Sequence, residues 1–108
     1  MRRPFVTSLR SRPGIISIGD ASRSRITIRV QGADHWDSVR IEVPPDEPVL
    51  TAKLRALEEL YPDAEYHEDF AMKLGGIEVL DEESSLTEAG ARDGSIFLLM
   101  HRRRRPVR

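Results

Sequence analysis

Three histidines, His35, His67 and His101, are the residues best suited to metal binding or proton transfer, and they fall in three different places: a loop, an acidic segment and a basic tail. No two of them share one element at a ligand spacing. His67 has Glu65, Glu68 and Asp69 beside it, a group able to hold a divalent cation weakly, but the pattern reads more simply as a solvated run of charge. Glycine-rich phosphate loops, serine elbows and paired buried carboxylates are absent. The chain has no cysteine, which excludes disulfides, thiolate zinc sites and a cysteine nucleophile. The expectation is therefore a protein without catalytic residues, metal or cofactor. What remains for chemistry is cationic: Arg102, Arg103, Arg104, Arg105 and Arg108 follow an apolar run in GSIFLLMHRRRRPVR.

The net charge of −1 hides a strong segregation of charge along the 108 residues. Residues 1–25 carry a net +5, residues 26–100 a net −11, and residues 101–108 a net +5. Two basic arms thus flank an acidic centre, an arrangement that bears on association more than on fold. The length allows one domain with one small core. The longest uninterrupted apolar stretch, Ile96 to Met100, is far short of the roughly 20 residues that cross a bilayer.

The first 24 residues read as an arm, because Pro4, Pro13, Gly14 and Gly19 interrupt any period and IISI at 15–18 is too short to build on. Four arginines, three serines and no acid in residues 1–19 match a mitochondrial presequence, although Pro4 and Pro13 spoil its helix. Arg10, Arg12 and Pro13 break the apolar run a secretory signal needs. The compartment expected is the cytoplasm, with the nucleus open if the four arginines act as a localisation signal and the mitochondrion a weaker reading.

Regularity begins near Arg25. Ile26, Ile28 and Val30 alternate with polar residues, as do Val39, Ile41 and Val43, and GADHWD between them supplies a turn; this predicts an antiparallel hairpin. Pro44 and Pro45 stop the second strand. Asp46, Glu47 and Pro48 look like a helix start. Leu50, Leu54, Leu57 and Tyr61 form one helical face, with Lys53, Arg55, Glu58 and Glu59 on the opposite side and Pro62 at the end. Phe70, Met72 and Leu74 predict a third strand, Gly75-Gly76 a turn, IEVL a short fourth, LTEAGA a turn of helix, and SIFLLM a last strand with Ile96, Leu98 and Met100 facing the core.

Strand hairpin, helix, two strands, short turn and closing strand form a β-grasp order, and the segment from Ile26 to His101 resembles ubiquitin and its relatives. LTAKL in the helix is similar to the family's V-x-A-K-I, and SLTEAGARDGSIFLL to the stretch that leads into its closing strand. The resemblance implies an α+β fold, a mixed four- to five-stranded sheet packed on one main helix, with a basic arm at 1–24, the domain at 25–101 and an Arg-rich tail at 102–108. It also implies that conjugation would need a Gly-Gly tail, and the corresponding positions here resemble Arg104 and Arg105; covalent tagging is not expected. The family's outer sheet face commonly meets partners, and its apolar positions fall here on Lys73, Phe97 and Leu99.

Those three residues, with Trp36 in the first hairpin loop as a further anchor, are the expected protein-binding surface, with the Arg102–Arg105 and Arg108 tail assisting electrostatically. The partner is a protein of unknown identity; an oxygenase complex or a bacterial secretion system would suit such a domain. The alternative is RNA or DNA held by the arginines, against which stand the acidic centre and the lack of aromatic residues in the tail.

Overall fold

The computed structural model describes residues 15–19, 24–34 and 36–102. The two alternating runs do pair, as β2 (Ile26–Gly32) and β3 (Ser38–Val43), antiparallel with Ile28 opposite Ile41 and Val30 opposite Val39. Their apolar side chains point to one face because a strand alternates sides at every residue. Helix α1 (Val49–Leu60) lies on that face, followed by a 3₁₀ turn (His67–Asp69), β4 (Phe70–Leu74), the two-residue β5 (Ile77–Glu78) and β6 (Ile96–His101). The resemblance's β-grasp order is what forms.

With β1 (Ile15–Ser17) the sheet has six strands among the described residues rather than four or five, in the order β1-β3-β2-β6-β4-β5. The extra one, β1 (Ile15–Ser17), comes from the segment read as too short to build on, and it pairs parallel with β3. β6 runs parallel to β2 and antiparallel to β4, so the sheet is mixed. Gly75 and Gly76, with φ of 61° and 84°, make the β4–β5 turn in a conformation that a Cβ disfavours.

Helix α1 differs from its sequence reading at both the start and the buried face. Asp46 does not cap it. Pro48 occupies the cap position with no side-chain bond, and the first free amides, Val49 and Leu50, donate instead to the carbonyls of Ser84 and Glu82 at 2.9 and 2.8 Å. A distant loop therefore closes the helix start. The buried face is Val49, Ala52, Lys53, Ala56, Leu57 and Leu60, while Leu54 is 41 % exposed. Two stripes of helical spacing run side by side on this helix, and the one rich in alanine wins because small side chains let the helix approach the sheet. Leu54→Ala should accordingly cost less than about 1 kcal/mol and Leu57→Ala about 2–5 kcal/mol. Urea unfolding of both variants checks this; equal costs would reverse the facing of the helix.

The LTEAGA segment is a series of turns, held by Leu86 N–H on the Glu47 carbonyl and Ala91 N–H on the Leu86 carbonyl, both at 2.9 Å. The core joins both sheet hairpin residues and helix, with Phe97, Leu99, Met72 and Leu86 fully buried. Tyr61 closes the helix with its ring centroid 4.8 Å from that of Phe70, and burial pushes its phenol above the ordinary tyrosine range. No helix of the described residues is long and apolar enough to cross a membrane.

Candidate interaction surface

The closing strand decides where a partner can touch the sheet. β6 reads IFLLMH, apolar at both parities, so alternation alone cannot say which side is inside. Its neighbours can. Phe97 stands opposite Val30 and Leu74, and Leu99 opposite Gly32 and Met72, which places both among core-facing residues of β2 and β4. Both are 0 % exposed. Phe97 and Leu99 are thus core residues rather than a binding face, and Ile96, Leu98 and Met100, expected inside, lie on the outer side of the sheet.

That outer side forms a continuous strip. Leu98 is opposite Lys73 on one flank and Gln31 on the other; Met100 is opposite Ala71, and Ile96 opposite Arg29. Leu98 and Met100 are half-buried by their neighbours, and Ile96 is 57 % exposed. Lys73, the one predicted sheet residue whose placement on this face holds, is half-buried beside Leu98. The signal that could have found Leu98 was Lys73 itself, since a lysine marks the wet side of β4; the register that puts Leu98 across from it is not written in either strand. A shallow concavity of about 310 Å³ opens beside it, lined by Ala71, Lys73, Glu78, Met100, His101 and Arg102.

Trp36 stands at the tip of the β2–β3 hairpin, 98 % exposed. The tip is tied to β6 by Ala33 N–H donating to the Leu99 carbonyl at 2.9 Å, so the indole belongs to the same end of the sheet as Leu98 and Met100. His35 and the arginines at 103, 104, 105 and 108 lie outside the described residues. Arg102 lies within them and is engaged with the domain. Its N–H donates to the Asp69 carbonyl at 2.7 Å, its Nε to the Glu68 carbonyl at 2.9 Å, and its guanidinium pairs with the Glu78 carboxylate.

His67 does not gather Glu65, Glu68 and Asp69 into a cage; it faces Lys53 on one side and Glu68 on the other. Lys53, assigned by sequence to the solvent side of the helix, is completely buried, with its Nζ donating to both Glu82 oxygens at 2.9 Å. His67 Nδ1 is 3.4 Å from the same Nζ, where a neutral ring accepts. The lysine is inside because only there can it meet Glu82, a carboxylate carried on the loop that closes the helix start. The three residues form a structural polar cluster, and no group of three or more His, Cys, Asp or Glu side chains among the described residues is arranged to hold a metal ion.

No protein-family model matches the sequence, and no curated protein matches it. Solved structures do. The C-terminal ubiquitin-like domain of mouse tubulin-specific chaperone e superposes with a TM-score of 0.64 at 13 % identity, covering 82 % of this chain and 97 % of that one. A ubiquitin-like domain from Arabidopsis thaliana gives 0.62 at 18 % identity over 82 % and 89 % of the two chains. The ubiquitin-like domain of Plasmodium falciparum Dsk2 gives 0.61 at 22 % identity over 72 % and 99 %. The chain has the ubiquitin-like β-grasp fold.

Proposed function

We propose that this ubiquitin-like domain is a non-covalent protein-binding module, acting without catalysis of its own, whose recognition surface is the outer sheet strip of Leu98, Met100 and Lys73 with Trp36 at its end. The observation that carries the reading is the pairing of β6. Its outward residues are apolar on the one sheet face that helix α1 does not cover. Apolar residues gathered at the centre of a sheet face, with a lysine and an exposed tryptophan at the margin, have the make-up of a binding hot spot with a charged rim. The residues that follow β6 are arginines where conjugated relatives carry glycine, which supports a role free of covalent transfer. The cytoplasm suits a cysteine-free module of this kind.

The basic tail serves this surface as an electrostatic aid, speeding encounters with an acidic partner. Arg102 is spent on Glu78, which weighs against the tail as a phosphate-binding device. The test is affinity capture with the parent and with Leu98→Asp, followed by a binding titration of each captured protein. Leu98→Asp should leave the fold intact and weaken the specific partner by at least about 2 kcal/mol, as loss of a hot-spot residue does. Undiminished binding by a folded Leu98→Asp protein would end this reading. A captured complex that is tight, salt-sensitive and made of RNA would replace it with the nucleic-acid alternative.

A further inference from the structure

The first hairpin carries a charge arrangement that the sheet does not need. Arg29 on β2 and Arg40 on β3 stand directly opposite each other on the outer face, both exposed, because Ile28, Val30, Val39 and Ile41 take the alternate positions toward the core. Arg29 N–H donates to the Ser95 carbonyl at 2.9 Å, so its backbone bonds point toward β6. The arginine pair is therefore of the non-hydrogen-bonded kind, in which opposed side chains come closest. Like charges so placed weaken a hairpin. Neither guanidinium has a carboxylate partner among the described residues, and Glu42, two residues along β3 on the same face, pairs with Arg25 at 3.6 Å instead. Two adjacent cations are thus left uncompensated within a segment, residues 26–100, whose net charge is −11.

The pair lies at the centre of a row that crosses the sheet. Ile15 of β1 is opposite Arg40 and Ile96 of β6 is opposite Arg29, which gives the order Ile15, Arg40, Arg29, Ile96. A shallow hollow of about 230 Å³ opens at the arginines, with Thr27, Gly94 and Ile96 in its walls. Two guanidinium forks on neighbouring strands favour a ligand that brings two negative charges to one point. A carboxylate or a phosphodiester brings one and leaves the second cation unmatched, whereas a phosphomonoester at neutral pH brings nearly two, on three acceptor oxygens. The row also sets a spacing. Three inter-strand steps of about 4.8 Å separate the isoleucines by about 14 Å, and four steps of extended chain at about 3.3 Å span about 13 Å. Alternate residues of such a chain point to one side, so its first, third and fifth side chains can all face the row.

We infer that this row is a binding site for a phosphorylated serine or threonine on an extended segment of a partner protein, with an aliphatic residue two positions to either side. The phosphate lies between Arg29 and Arg40, and the flanking aliphatic side chains lie on Ile15 and Ile96. The forks supply affinity and the choice of a dianion; the two isoleucines supply the sequence context. A polynucleotide is the poorer ligand, since its diesters carry single charges and the acidic domain repels a polyanion. The site shares the outer face with the Leu98 and Met100 strip, yet its test changes neither residue, so the two readings fail separately.

The test titrates the full chain with the capped peptide Ile-Gly-phosphoserine-Gly-Ile, with its serine and glutamate counterparts, and with inorganic phosphate. The phosphopeptide should bind at least about tenfold tighter than any of the three, with backbone amide shifts concentrated at Ile15, Arg29, Arg40 and Ile96. Arg29→Gln and Arg40→Gln should each weaken it by at least about tenfold while melting no lower than the parent, since each removes a like-charge contact. Lowering the pH from about 7.5 to about 5.5 should weaken binding as well, because the phosphate gains its second proton near pH 6 and becomes a monoanion. Affinity unchanged in the folded Arg29→Gln, Arg40→Gln double variant would assign the phosphate to other arginines and overturn the proposal. So would equal binding of the serine peptide, inorganic phosphate bound as tightly as the phosphopeptide, or an RNA oligonucleotide held more tightly through the same two arginines.

Discussion

Glu82→Ala should destabilise the domain by about 3–5 kcal/mol, the cost of stranding a buried cation. Lys53 has no exposure to water, and its Nζ is neutralised by both oxygens of Glu82, itself only 13 % exposed. Removing the carboxylate leaves the ammonium with His67 Nδ1 at 3.4 Å as its remaining side-chain neighbour. Lys53→Met should be far milder, because the thioether fills the same channel without a charge and Glu82 is close enough to the surface to be hydrated. The double variant Lys53→Met, Glu82→Ala should recover most of what Glu82→Ala loses. Urea unfolding of the four proteins measures the cycle. A Glu82→Ala protein within about 1 kcal/mol of the parent would mean that the ion pair is not the anchor of this loop.

That loop matters beyond the pair itself. Glu82 and Ser84 lend their carbonyls to the first amides of α1, and Leu86 N–H returns a bond to Glu47. The carboxylate of Glu82 therefore stabilises a helix start that has no side-chain cap of its own.

Phe97→Asp should abolish the folded state, and Leu98→Asp, one residue on, should not. Phe97 is fully buried on β6 between β2 and β4, and truncation to alanine alone should cost about 3–5 kcal/mol. A carboxylate at the same place adds an unpaired buried charge to that loss, which exceeds the stability typical of small domains, about 5–15 kcal/mol, at the lower end of that range. Circular dichroism on heating should show no cooperative transition for Phe97→Asp and a parent-like transition for Leu98→Asp. Cooperative melting by Phe97→Asp would put the wrong parity of β6 in the core. The comparison also guards the functional test, since any loss of binding by Phe97→Asp is a loss of the protein rather than of a surface.

What the sequence determined by itself was whatever rests on local period. Ile26, Ile28 and Val30 against Val39, Ile41 and Val43 could form only a hairpin with one dry face, because polar residues hold every other position. The helix was legible for the same reason, and with β4 and the last strand in order the β-grasp resemblance followed. Tertiary structure alone decided the features that local period leaves degenerate. In β6 every residue from Ile96 to Met100 is apolar, so burial energy is nearly the same for either parity until pairing with Val30 and Met72 selects Phe97 and Leu99. Helix α1 carries two apolar stripes, and packing on the sheet buried the one containing alanines and Lys53, whose charge is tolerable only beside a carboxylate 29 residues away. Ile15–Ser17 shows no period at all, being three residues long, and becomes a strand because the edge of β3, more than twenty residues later in the chain, offers unpaired backbone groups and room for two isoleucines.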